Sequence, residues 1–206
     1  MAELDAHIRP LKVSDDKLVR FTIGKAAMES LAIANRRDDR LNRPEFEKLV
    51  QDVLRGPDMS DMVAYYSRSP ASGFYLCEYG GLFVGLVGLD AAPQPSSTAP
   101  ITTDVKNSSK PAASSIAIIR HIYVDEAYRS TGIQEDLLAH ALRVAFGAEP
   151  ALQVVEAPES PLLPYVSNCL EDASFGRQEN TQKIGVFGWQ LGVRSLKRAD
   201  WEKKHE

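Results

Sequence analysis

The run Ile122-Tyr123-Val124-Asp125-Glu126-Ala127-Tyr128-Arg129-Ser130-Thr131-Gly132-Ile133-Gln134 passes from branched residues through a polar turn into the start of an amphipathic stretch. That order has chemistry of its own. The first amides of a helix have no carbonyl partner within it, and they stand at the positive end of its dipole. A glycine-bearing turn there lets the backbone approach an anion closely, and it suits a pyrophosphate. Gly132 leaves the approach clear, Arg129 adds a cation, and Ser130 and Thr131 add hydroxyl donors. The plainer alternative is an ordinary capped strand-to-helix turn.

The elements that must hold this turn are read from periodicity. Residues 116–124 are rich in branched side chains and predict a central strand. Residues 133–146 predict a helix with Leu137, Leu138, Ala141, Leu142 and Ala145 on one face, and Glu135, Asp136 and Arg143 turned away; Gly147 is expected to close it. Upstream, residues 7–11 form a short extended run. Ser14-Asp15-Asp16 offers an N-cap for a helix reaching Asn35, with a kink expected at Gly24. Residues 36–40 read as a solvated link. Asn42-Arg43-Pro44-Glu45 opens a second helix that ends at Gly56-Pro57, and residues 59–66 predict a further one.

Residues 73–79 and 82–90 predict a hairpin turning on Gly80-Gly81. Residues 93–115 hold 13 Pro, Ser or Thr among 23 and no aromatic residue, so a mobile loop outside the core is expected, with a domain linker as the alternative. Then come a strand at 152–156, a helix at 161–173, one or two terminal strands within 182–193, and a charged tail at 197–206, helical or frayed. Strand–helix–strand units require crossovers and a partly parallel sheet, while hairpins make the sheet mixed. The expected class is α/β, as one domain over residues 1–206.

Composition narrows the function. At 206 residues and a net charge of −4, the chain lacks the basic excess of a nucleic-acid binder. Cys77 and Cys169 are too few for a disulfide framework or a zinc cluster, and the four histidines show no metal spacing. No P-loop, Gly-x-Gly-x-x-Gly or Gly-x-Ser-x-Gly motif is present. No apolar run approaches a membrane span, and the acidic opening Met1–Asp5 does not read as a signal peptide. A soluble, cytoplasmic chain without a metal is expected.

With these elements in order, the sequence resembles the GNAT acyltransferases. Their signature is a strand ending in Val, a short acidic turn, and Arg/Gln-x-x-Gly-x-Gly/Ala opening a helix. Arg129-x-x-Gly132-x-Gln134 matches the first two fixed positions and has Gln134 at the third. The likeness extends over the opening Ile8-Arg9-Pro10-Leu11, the helix pair, the hairpin, and residues 152–175. It implies a GNAT fold: a mixed central sheet flanked by helices and splayed between the fourth and fifth strands. It also implies acetyl-CoA as cofactor. Backbone at Ile122, Tyr123 and Val124 would pair with the pantetheine, and Arg129, Ser130, Thr131, Gly132, Ile133 and Gln134 would cradle the phosphates. Gln134 would either crowd the pyrophosphate or hydrogen-bond to it.

The reaction so implied passes an acetyl group to an amine on a small molecule or peptide. It needs a base for the ammonium and an acid for the departing thiolate. His121 titrates in the useful range and is one candidate base, with a packed or solvent-facing strand histidine as the alternative. Glu156 is the other candidate base, or else a surface carboxylate. The family often places a tyrosine acid in the helix after the fifth strand. Counting from either side puts that position at Leu170 or near Ser167, while Tyr165, one turn early, is the helix's own tyrosine and would serve as acid or pack as an aromatic. Cys169 reads as a small buried residue. The competing functional reading is a GNAT-fold module that has lost catalysis and serves interaction or regulation. Some fungal GNAT-like proteins resemble residues 21–26 and carry a membrane hairpin between their first two helices. By that likeness, a hairpin would be missing at 36–41 and the full-length form would be membrane-associated.

Overall fold

A computed structural model describes residues 6–36, 43–91, 115–159, 164–184 and 189–205. Seven strands form one sheet in the order β1-β2-β3-β4-β5-β7-β6, with β1 Ala6–Pro10, β2 Gly73–Tyr79, β3 Leu82–Asp90, β4 Ile116–Val124, β5 Val154–Glu159, β6 Gly176–Ile184 and β7 Trp189–Lys197. All neighbours are antiparallel except β4 and β5. The expected mixed α/β sheet is therefore present. The β2–β3 turn is Gly80-Gly81, and both glycines have positive φ (59° and 78°), as a two-residue hairpin turn requires.

The helices are α1 Asp16–Arg36, α2 Arg43–Leu54, α3 Pro57–Ser60, α4 Met62–Tyr66, α5 Ile133–Ala148, α6 Pro164–Asp172 and α7 Arg198–His205. They cover both faces of the sheet. On one face Leu137, Leu138 and Leu142 of α5 join Leu170 of α6 and Trp201 of α7 against Leu89, Ile119, Val155 and Leu196. On the other, Val19 and Ile23 of α1, Met59 of α3 and Met62, Tyr65 and Tyr66 of α4 pack on Phe74, Leu76, Leu86 and Tyr123.

Several boundaries differ from the sequence reading. α1 runs through Gly24 without a break and begins after a 3₁₀ turn at Val13–Asp15. The stretch expected as one helix at 59–66 is split at Asp61, whose carboxylate caps the amide of Ala64. α5 passes Gly147 and ends at Ala148. The terminal strands are two, and they begin at Gly176 rather than 182. The charged tail is a docked helix. Trp201 is buried against Phe146. Arg198 donates to the carbonyls of Phe146, Glu149 and Leu152, closing the end of α5. The loop expected at 93–115 lies outside the described residues but for Ser115, as does the proposed hairpin point at 36–41 but for Arg36.

Candidate active site

β4 and β5 pair over three positions only, Ile116 with Val154, Ala117 with Val155 and Ile118 with Glu156. Beyond Ile118 the strands diverge; β4 keeps β3 as its neighbour while β5 follows β7. The rest of β4 thus faces a gap. Antiparallel bonding alternates along a strand. The Asp125 amide donates to the Val84 carbonyl of β3, so the backbone groups of Val124 and Ile122 turn the other way, to the gap.

At the end of β4 the chain enters the turn. Asp125 is fixed by Lys25 of α1 and caps the amide of Ala127. The Lys25 hydrogen bond holds the Asp125 carboxyl below its usual range. Gly132 is the N-cap of α5 with φ 83° and ψ −5° and, as glycine, brings no side-chain cap of its own. A Cβ built on Gly132 meets nothing within 4 Å. The amides of Ile133, Gln134 and Glu135 precede the first intrahelical bond, from Asp136 N–H to the Gly132 carbonyl. Open space and a left-handed glycine N-cap at the positive end of the α5 dipole together fit an anion of pyrophosphate size.

The side chains around the turn depart from expectation in three ways. Arg129 lies across the end of β4. Its Nε donates to the Val124 carbonyl at 3.0 Å and its guanidinium pairs with Glu29 of α1. Thr131 donates its hydroxyl to the Tyr128 carbonyl at 2.6 Å. Gln134 is buried at 3% exposure, beside the Cys169 thiol of α6. It therefore does not crowd the anion position. Ser130 is exposed.

The proton-transfer candidates are placed as follows. β4 carries a bulge. Gly88 pairs with His121 and Leu89 with Ile119, leaving Arg120 as the extra residue. Ile119 and Val124 join the core under α5, whereas Arg120, His121 and Tyr123 all face the α1–α4 side. His121 Nε2 lies 2.7 Å from Asp58 Oδ2, and both side chains are about one-tenth exposed. Glu156 sits at the last paired position of β5, half-buried, on the face opposite to Val155 and Ala157. Three residues of strand, about 10 Å, separate its partner Ile118 from His121, so the two candidates do not meet.

Tyr165 falls in the first turn of α6, and its side chain lies outside the described residues. Leu170 is fully buried in the core under α5. Ser167 is half-buried, with its hydroxyl 3.4 Å from Glu159 at the end of β5. Burial pushes the Cys169 thiol up to about 12 and that of Cys77 up to about 11, so neither is a ready nucleophile.

Three groups escaped the sequence reading. Glu29 accepts from Tyr123 Oη at 2.8 Å besides pairing with Arg129; burial and this carboxylate push the Tyr123 phenol above its usual value. Asp58 faces His121. Asp90, with a fully buried side chain, takes bonds from Tyr65 Oη (2.7 Å), Arg120 (2.9 Å) and Arg68 (3.3 Å). Glu29 and Asp58 lie within helical stretches, where nothing local marks them, and Asp90 ends a strand whose neighbours are apolar. Among the described residues there is no group of three or more potential metal ligands, and no helix is long and apolar enough to cross a membrane.

The splay and the turn are features of one family, and comparison with known proteins agrees. The family model for the acetyltransferase (GNAT) family matches residues 40–159, more than half of the chain. The chain belongs to the GNAT acetyltransferase family, whose members use acetyl-CoA. A search of curated protein sequences finds no match. Among solved structures, a GNAT-family acetyltransferase from Staphylococcus aureus Mu50 is similar with a TM-score of 0.60 at 12% identity, covering 94% of this chain and 99% of the other. The aminoglycoside acetyltransferase AAC(6')-Ib, solved with coenzyme A and kanamycin, gives 0.58 at 16% identity, covering 98% and 100%. YncA from Salmonella typhimurium, solved with acetyl-CoA as its cofactor, gives 0.58 at 16%, covering 93% of each chain. At these identities the likeness is one of fold, and none of these structures supports a fungal assignment.

Proposed function

We propose that this chain is an acetyl-CoA-dependent N-acetyltransferase acting on an amine of a small molecule or peptide. The observation that carries the reading is the parting of β4 from β5 after three paired residues, directly ahead of the glycine-capped N-terminus of α5. Bound acetyl-CoA supplies an acyl thioester. The backbone groups of Ile122 and the N–H of Val124 hydrogen-bond the pantetheine, and that N–H polarises the thioester carbonyl; the Val124 carbonyl is taken by Arg129. The amides of Ile133, Gln134 and Glu135 receive the pyrophosphate, with Ser130 at the rim. His121 accepts the proton of the incoming ammonium, directly or through water, and Glu156 is the alternative acceptor. Tyr165 is assigned as acid. A thiol's pKa of about 8.5 leaves little for that acid to contribute near neutral pH. Coenzyme A and acetyl-CoA in the similar structures of AAC(6')-Ib and YncA support this use of the gap.

A specific observation favours the second reading, a module without catalysis. Arg129 is paired with Glu29, and Glu126, Glu135 and Asp136 add negative charge around the turn. Calorimetry with coenzyme A and acetyl-CoA, followed by thiol release against a panel of amines and peptide N-termini, separates the two. Binding with turnover is expected. No heat at millimolar ligand leaves only the interaction module.

A further inference from the structure

The bulge at Arg120 sets two side chains side by side on the α3–α4 face, with separate partners. Arg120 goes to Asp90, which also holds Tyr65 and Arg68. His121 goes to Asp58. The aspartate that faces His121 is held in place from several sides. Pro57 opens α3, Met59 next to Asp58 is fully buried, the Met59 amide donates to the Gly56 carbonyl, and Arg20 of α1 donates to the Met59 carbonyl. His121 also lies beside the Phe74 ring, at 6.0 Å between centroids, and Tyr66 packs edge-on to that ring. A carboxylate placed by so many neighbours controls a histidine in a defined way. An ionised carboxylate can only accept, so a neutral imidazole bonded to it through Nε2 has its proton there and its lone pair on Nδ1.

We propose that Asp58 is a positioning residue for His121: it fixes the ring and the Nε2–H tautomer, leaving Nδ1 as the basic atom, and it steadies the imidazolium once the proton arrives. The inference rests on the acetyl-transfer reading and adds to it the group that orients the base. In the step, an N–H bond of the ammonium breaks and its electron pair stays on the amine nitrogen. The proton forms a bond to Nδ1 of His121, Asp58 remains ionised, and the imidazolium later gives the proton to solvent. Burial raises the cost of charge on Asp58. The hydrogen bond from His121, with the charges of His121 and Arg120, outweighs that and holds the carboxyl below its usual range.

The test uses the full chain. Long-range ¹⁵N–¹H correlation spectra of the imidazoles report the tautomer of His121, assigned by its loss in His121→Ala. The neutral ring is expected as the Nε2–H form in the wild type, and as a mixture in Asp58→Asn. In parallel, Asp58→Asn is expected to lower kcat roughly 10²–10⁴-fold, the contribution of the base it orients, with KM for acetyl-CoA unchanged. Asp58→Glu is expected to recover part of the loss. A wild-type ring in the Nδ1–H form overturns the proposal, even if the Asn variant fails to fold. So does an Asp58→Asn enzyme with normal kcat. Absent turnover and absent coenzyme A binding in the wild type would sink the transferase reading, while the tautomer still decides whether Asp58 orients His121.

Discussion

Gly132→Ala tests the anion site and its conformation at once. Gly132 has φ 83°, and a Cβ there meets no atom within 4 Å. The fold cost is therefore backbone strain alone, about 1–2 kcal/mol for an L-residue held left-handed. For a chain of this length, each kcal/mol lowers Tm by about 2–4 °C, so a fall of about 2–8 °C is expected in thermal unfolding. In the liganded state the methyl group occupies the approach to the phosphates. Losing one charge-assisted bond there removes about 1.5–3 kcal/mol, which is roughly 10–160-fold in Kd for coenzyme A by calorimetry. The two readouts separate the causes. A lowered Tm with an unchanged Kd means that the phosphates do not sit on this turn. An unchanged Tm refutes the left-handed cap.

Gln134→Ala should leave the coenzyme A Kd within about threefold, because the amide is buried against Cys169; a tenfold change by calorimetry would show that it reaches the phosphates. Asp90→Ala removes the buried acceptor that Arg120 and Tyr65 share and should cost about 1–3 kcal/mol in urea unfolding. The thiols of Cys77 and Cys169, pushed up to about 11 and about 12 by burial, should resist Ellman's reagent at pH 8 until the chain unfolds. Stability should fall with acid. Asp15, Asp125 and Glu159 are held below their usual range chiefly by hydrogen bonds from Arg9, Lys25 and Arg177, and Asp58 by His121 against its burial. With folded pKa values below the unfolded ones of about 4, their contribution is complete above about pH 5 and is lost as pH falls through the folded values. Burial lowers the pKa of His140, so an earlier and smaller loss should begin as pH drops below about 6.5. A Tm that is flat from pH 7 to pH 3 would contradict both.

What the sequence determined by itself was local. The Gly80-Gly81 hairpin, β4 and most of α5 follow from nearest-neighbour chemistry: two residues that accept positive φ, a run of branched side chains, and an apolar stripe with a helical period. The anion turn is local for the same reason, since glycine, the helix start and the preceding strand are contiguous. Tertiary structure decided the rest. One extra residue in β4, Arg120, shifts the phase of the strand and turns His121 to the α3–α4 face beside Tyr123. Strict alternation would have put His121 with Ile119 under α5. Arg129 looked like a phosphate ligand until Glu29, 100 residues away, took its guanidinium. Gln134 looked like an obstruction until α6 offered Cys169 below it. The tail read as helical or frayed, and only the docking of Trp201 and Arg198 against the end of α5 decided for the helix. In each case the side chain had more than one chemically sound partner, and only the meeting of distant segments chose between them.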